Sequence, residues 1–201
     1  MELTHIAYQG PEVDDEALLA QLPSELSRLL RQINGFVQFS GGLHVRGACA
    51  QPPWHSLRAV IGGPGAIHVL FPAVRSSDVP FAQDCLGDQF LLRDGEVLQL
   101  QAETGELESR GCGLMQFLEQ AQQSPVEYLS LQPLLQFHQE GGSLQLGQLL
   151  NVYPPFCSKE AADGVSLRAV PAEERLRFLG GLSAQLAQVP ENGKLQLRVE
   201  E

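Results

Sequence analysis

The chain has 201 residues, 43% of them hydrophobic and 18% charged, which suits one folded domain and excludes a fibrous or wholly disordered class. With 24 acidic against 13 basic side chains, the formal charge is -11, so phosphate backbones and anionic lipid would approach against an unfavourable potential and nucleic-acid binding is not expected. The uncharged stretch Ala59 to Val74 is broken by Gly62, Gly63, Pro64 and Gly65 and is too short to span a bilayer, and the acidic start MELTHIAYQGPEVDDE does not read as a signal peptide. No membrane association and a cytoplasmic location are therefore expected.

In chain order, Asp14 and Asp15 offer N-cap oxygens to a helix starting near Glu16, with Leu18, Leu19 and Leu22 on its apolar side. After Pro23, Leu26, Leu29, Leu30 and Ile33 recur at helical spacing, and Asn34-Gly35 ends that second helix. Between Phe36 and Val74 the runs FVQFSGGLHVRG and AIHVLF read as strands joined by turns, the glycines at 62, 63 and 65 forming one such turn. QFLLR-DG-EVLQLQ predicts a hairpin about Asp94-Gly95, pairing Arg93 with Glu96, Leu92 with Val97 and Leu91 with Leu98. Both faces of that hairpin are apolar, which implies a central place in the sheet. Thr104-Gly105 is the next turn and ELES the next strand.

Leu114, Phe117, Leu118 and Ala121 make a helical stripe that ends at Pro125. Beyond it, LQLGQLLNVYPPF, a helix opening at Pro171-Ala172-Glu173-Glu174 with Leu176, Leu179 and Leu186 inward, and a last strand LQLRV after Glu191-Asn192-Gly193 read as an extension. Strands grouped between helices, without β-α-β alternation, give an α+β fold with a mainly antiparallel twisted sheet and helices packed against it. The chain reads as a single domain, 1–201, with a core over about 15–125 and a C-terminal extension over about 126–201.

Three stretches, LPSELSRLLRQINGF, VPFAQDCLGDQFLL and the hairpin with its trailing AETGELE, occur in an order that resembles the SUKH superfamily. That group holds fungal Smi/Knr-type cell-wall regulators, Syd and many bacterial immunity proteins. PLLQFHQEGGSLQLGQLLNVYPPF looks like the C-terminal extension of one bacterial subgroup. The resemblance implies protein binding rather than catalysis, and, for a bacterial member, an immunity protein neutralising a toxin of nuclease or deaminase type. Toxin-contacting positions vary across such a family, so the resemblance carries over no catalytic residue.

Several residues compete for a functional role. Asp84, Cys85 and Asp88 crowd one segment, and the two carboxylates could share a helical face in a hydrolase, but they equally suit hydrogen bonds to turn amides beside a positive-φ Gly87. Cys85 has no histidine near it in sequence to activate it and reads as an inert thiol. Cys49, Cys85, Cys112 and Cys157 form no C-x-x-C pair, and four free thiols are expected. The five histidines lack metal-ligand spacing, so neither metal nor cofactor is expected. Trp54, the single tryptophan, is either an exposed binding anchor or a core plug.

From Asp78 to Glu108 eight acidic residues accompany one basic residue, Arg93. Asp94, Glu96, Glu103, Glu106 and Glu108 fall at turns or strand ends, and the functional reading joins them in an acidic patch that would meet a basic toxin surface. The alternatives are a cytoplasmic regulator or scaffold that binds a cellular protein and, from another class, the Asp84/Asp88/Cys85 hydrolase. Exposed strand edges leave homodimer formation open.

Overall fold

A computed structural model describes residues 3–189 of the chain. The fold is α+β, as expected from the grouping of strands and helices. Strands β1 (Ile6–Gln9), β2 (Phe36–Gln38), β3 (Leu43–Val45), β4 (Val79–Asp84), β5 (Gln89–Arg93), β6 (Glu96–Gln101) and β7 (Glu106–Ser109) form one antiparallel sheet in sequence order, with β1 and β7 at its edges. Helices α1 (Glu16–Leu19) and α2 (Ser24–Gln32) precede β2, α3 (Leu57–Ile61) and α4 (Ile67–Leu70) separate β3 from β4, and α5 (Leu114–Gln123), α6 (Pro125–Tyr128) and α7 (Gln132–Gln139) follow the sheet. A second, two-stranded sheet of β8 (Gln148–Tyr153) and β9 (Ser166–Pro171) leads into α8 (Ala172–Leu186).

The local signals account for most of these elements. Asp15 caps α1 by accepting a hydrogen bond from the Leu18 amide, and α2 buries Leu26, Leu29 and Leu30. The β5–β6 turn has Asp94 at φ 53° and Gly95 at φ 84°, the doubly positive geometry of a type I′ turn, and the register pairs Arg93 with Glu96, Leu92 with Val97 and Leu91 with Leu98. Period-two alternation then separates two cores. Phe90, Leu92 and Val97 join Phe117, Leu19, Leu26 and Leu30 on one face, whereas Leu91, Leu98 and Leu100 join Ile67, Phe71, Leu149, Leu176 and Leu179 on the other. The β3–β4 connection and the expected extension together cover this second face.

Four expectations need correction or completion. AIHVLF is not a strand: Ile67–Leu70 forms one helical turn with Ile67 buried and Val69 exposed, Phe71 ends it in extended conformation, and the glycines at 62, 63 and 65 join two short helices. The sheet starts before residue 15, because Ile6–Gln9 pairs with β2. α7 and β9 had no separate signal in the reading above. The expected strand LQLRV, with its turn Glu191-Asn192-Gly193, lies outside the described residues. Among the described residues no helix is long and apolar enough to cross a membrane.

Candidate functional site

Register places a polar ladder in the middle of the second face. Tyr8, Val37, His44, Gln83, Gln89, Leu100 and Leu107 are successive cross-strand partners from β1 to β7 and therefore project to the same side. Arg46, two residues beyond His44, leans onto this row. Its guanidinium, 1% exposed, donates to the Pro80 carbonyl at 2.8 Å, Gln83 Oε1 at 2.5 Å and Gln89 Oε1 at 2.8 Å. All three acceptors are neutral, and Arg46 forms no ion pair among the described residues, unlike Arg31, Arg58, Arg93, Arg175 and Arg177. Burial alone lowers its pKa to about 9.

The ladder continues as a hydrogen-bond chain whose direction can be deduced. His55 Nε2 lies 2.9 Å from the Asn34 carbonyl, which can only accept, so Nε2 carries the proton. Burial lowers the pKa of His55, so the ring is neutral and its Nδ1 accepts, and His44 Nε2, 2.9 Å away, must donate to it. His44, whose pKa burial and then the Arg46 charge hold well below the ordinary value, thus has a free lone pair on Nδ1, which faces Gln83 Nε2 at 3.4 Å. One direction satisfies every link: Arg46 to Gln83, Gln83 to His44, His44 to His55, His55 to the Asn34 carbonyl. The Asn34 side chain is itself fixed, accepting from the Ala48 amide and donating to the Pro11 carbonyl.

Above this floor opens a cleft of about 430 Å³, within the ~300–1,000 Å³ usual for ligand pockets. His44 and Gln83 form its base and Trp54 one wall, with Ser40, His138 and the segment Ser143–Leu149 completing the rim. Trp54, half-buried, neither plugs the core nor stands free. Its ring centre lies 5.1 Å from Tyr8, 5.2 Å from His44 and 5.3 Å from His55, and its outer side lines the cleft. Gly147 crosses so close to the indole that a Cβ there would come within 3.0 Å of it at a φ of 80°.

Asp84, Asp88 and Cys85 do not form a comparable opening. Asp84 ends β4 rather than lying on a helix, and its Oδ1 accepts the amides of Leu86 at 2.9 Å, Gly87 at 2.9 Å and Asp88 at 3.0 Å. Asp88 accepts from the Ala102 amide at 2.9 Å and from Gln99 Nε2 at 3.0 Å. Burial raises both carboxyls above the usual range, and the neighbouring Asp88 charge adds to the effect on Asp84. Cys85 is fully buried, its thiol pushed up by burial and then by Asp84. Cys49, Cys85, Cys112 and Cys157 are all free. Among the described residues no cluster of three or more His, Cys, Asp or Glu side chains is arranged to hold a metal ion.

The five carboxylates expected to form one patch are separated. Glu106 and Glu108 are partners of Gln101 and Gln99 and project from the first face of edge strand β7, exposed. Glu96 belongs to the opposite face, where Ser109 Oγ donates to it, and with exposed Asp94 it stands at the other end of the meander, ~17 Å from Gln101 at 3.4 Å per residue. Glu103 turns inward. Its side chain, 16% exposed, lies 3.6 Å from Arg175 and accepts the Phe156 and Cys157 amides at 3.3 and 3.0 Å, tying the extension to the sheet. The one-patch reading fails because strand parity, invisible in a count of charges, assigns these groups to different faces.

No family model matches the chain, and no curated protein matches it in sequence. Among solved structures, the chain is similar to one described as the crystal structure of Atu4351 from Agrobacterium tumefaciens, with a TM-score of 0.53 and 14% identity over 87% of this chain and 85% of that one. At this identity the likeness concerns the fold alone.

Proposed function

We propose that the chain is a protein-binding module of the SUKH type that neutralises a toxin, of nuclease or deaminase class, by stoichiometric contact. The observation that carries this reading is the edge strand β7. Among the described residues no strand pairs with its outer side, and Glu106 and Glu108 are exposed on one face without an ion pair. A partner with a basic substrate groove complements that edge and is steered to it by the -11 charge of the chain. The engagement of Asp84 Oδ1 by three turn amides, the bonds from the Ala102 amide and Gln99 to Asp88, and the burial of Cys85 support a non-catalytic role, because each fits a structural part in the turn after β4.

The direct test is co-expression with toxin domains encoded beside the gene, scored by rescue of growth and by co-purification in a 1:1 complex. Rescue without a complex, or failure against every neighbouring toxin, contradicts the reading.

A further inference from the structure

The cleft above the histidine chain has a chemical bias that the acidic edge does not explain. Among the described residues none of its lining side chains is a carboxylate, in a chain with 24 acidic residues. Beneath it lies the one described arginine that is fully buried without a counter-charge, and its field acts on His44 at the base of the cleft. Burying a guanidinium without a counter-charge is strongly unfavourable unless something offsets it. The guanidinium also orients Gln83: with Oε1 held by Arg46, the amide nitrogen faces His44 and the cleft, and only one of its two hydrogens is directed to His44 Nδ1. The base is therefore a donor surface under a positive field. The wall is the flat indole of Trp54, held in place by Tyr8, His44 and His55. At the rim, Ser40 holds φ 54°, a strained conformation for a non-glycine residue and one common at ligand sites.

We propose that this cleft binds a small anion carrying a planar aromatic ring, of the size of a mononucleotide, with the ring against Trp54 and the negative group drawn to Gln83 over Arg46. Such a ligand supplies the negative charge that Arg46 lacks and the flat surface that Trp54 offers. The site is distinct from the β7 edge, so toxin binding through Glu106 and Glu108 and ligand binding here can fail independently.

Trp54 is the only tryptophan, so its emission reports directly on the cleft. Titrations follow that emission and, in parallel, the heat of binding. The probes are AMP, GMP, CMP, UMP and 4-hydroxybenzoate, with adenosine as the uncharged ring and inorganic phosphate as the ringless anion. At least one ring-bearing anion should saturate below ~1 mM, with adenosine and phosphate each at least ~10-fold weaker. Gln83→Glu is the decisive variant. It gives Arg46 a carboxylate partner and removes the donor, so the melting temperature should hold or rise while affinity for the bound anion falls at least ~10-fold. Trp54→Phe should bind more weakly by calorimetry with the fold intact. The proposal is overturned if none of the five ring-bearing anions binds below ~1 mM, if phosphate alone binds as well as they do, or if Gln83→Glu binds as tightly as wild type.

Discussion

Arg46 and Arg175 are both almost completely buried, 1% and 2% exposed, yet they meet opposite surroundings. Arg175, on α8, donates to Asn151 Oδ1 at 2.9 Å, pairs with Glu103 at 3.6 Å and lies in the field of Asp88 and Asp84. Those carboxylates partly offset the fall in its pKa that burial causes. Its charge is used where it stands, clamping the extension to the turn after β6. Arg46 has two glutamine oxygens and a backbone carbonyl and, among the described residues, no anion. Two burials of the same group therefore mean different things: the first is a fastening within the fold, and the second leaves a positive field at the base of an open cleft.

That contrast can be broken by truncation. Arg175→Met leaves Glu103 and the buried Asp84 and Asp88 without their cation and should cost ~3–5 kcal/mol in denaturant unfolding. Asp84→Ala orphans three backbone amides and should cost at least ~2 kcal/mol, whereas Asp84→Asn keeps the accepting oxygen, removes the repulsion with Asp88 and should stay within ~1 kcal/mol of wild type. Arg46→Met leaves only neutral acceptors unpaired and removes an uncompensated charge, so ~1–3 kcal/mol is expected. If Arg46→Met proves more damaging than Arg175→Met, the division between fastening and field source is wrong.

Acidification sharpens the comparison at smaller scale. Folded His44 and His55 titrate below the ordinary value of 6.5 because burial disfavours the imidazolium. Below pH 6.5 the unfolded chain takes up protons that the native state refuses, so these residues make stability fall as pH drops from 6.5 towards their folded values, and the loss levels off beneath them. Asp84 and Asp88 act with the other sign: raised above 3.8, they bind protons in the native state first, and acid favours the fold through them. The histidine part is isolated by comparing wild type with His44→Gln between pH 7.5 and 5.5. Wild type should lose up to ~1.4 kcal/mol per pH unit more for each imidazole removed from the chain. Equal slopes would mean that folding leaves the His44 pKa unshifted.

What could be read from the sequence was local. The β5–β6 hairpin followed from Asp94-Gly95 and the alternation beside it, and α1, α2 and α5 from caps and apolar spacing. AIHVLF misled because β-branched and aromatic residues in a short run satisfy strand composition, and a single helical turn, Ile67–Leu70, is too short to show a period. Glu103 looked like its acidic neighbours because nothing nearby in sequence announces Arg175, 72 positions later. The cleft was illegible for the same reason: Arg46, Gln83 and Gln89 meet only through the register of β3, β4 and β5. One signal was present, since His44, Gln83 and Gln89 are polar residues inside strands that are otherwise buried and apolar, and such residues require partners.

The central claim is that the β7 edge meets a basic partner, and association kinetics with the toxin recovered from co-expression test it most directly. Glu106→Lys with Glu108→Lys should change folding stability by no more than ~0.5 kcal/mol, because exposed unpaired charges contribute little to it. The same pair should slow association at least ~10-fold at low salt and flatten its salt dependence, with dissociation changing less. An association rate equal to wild type at low salt would contradict the account and reduce the acidic edge to a solvated surface.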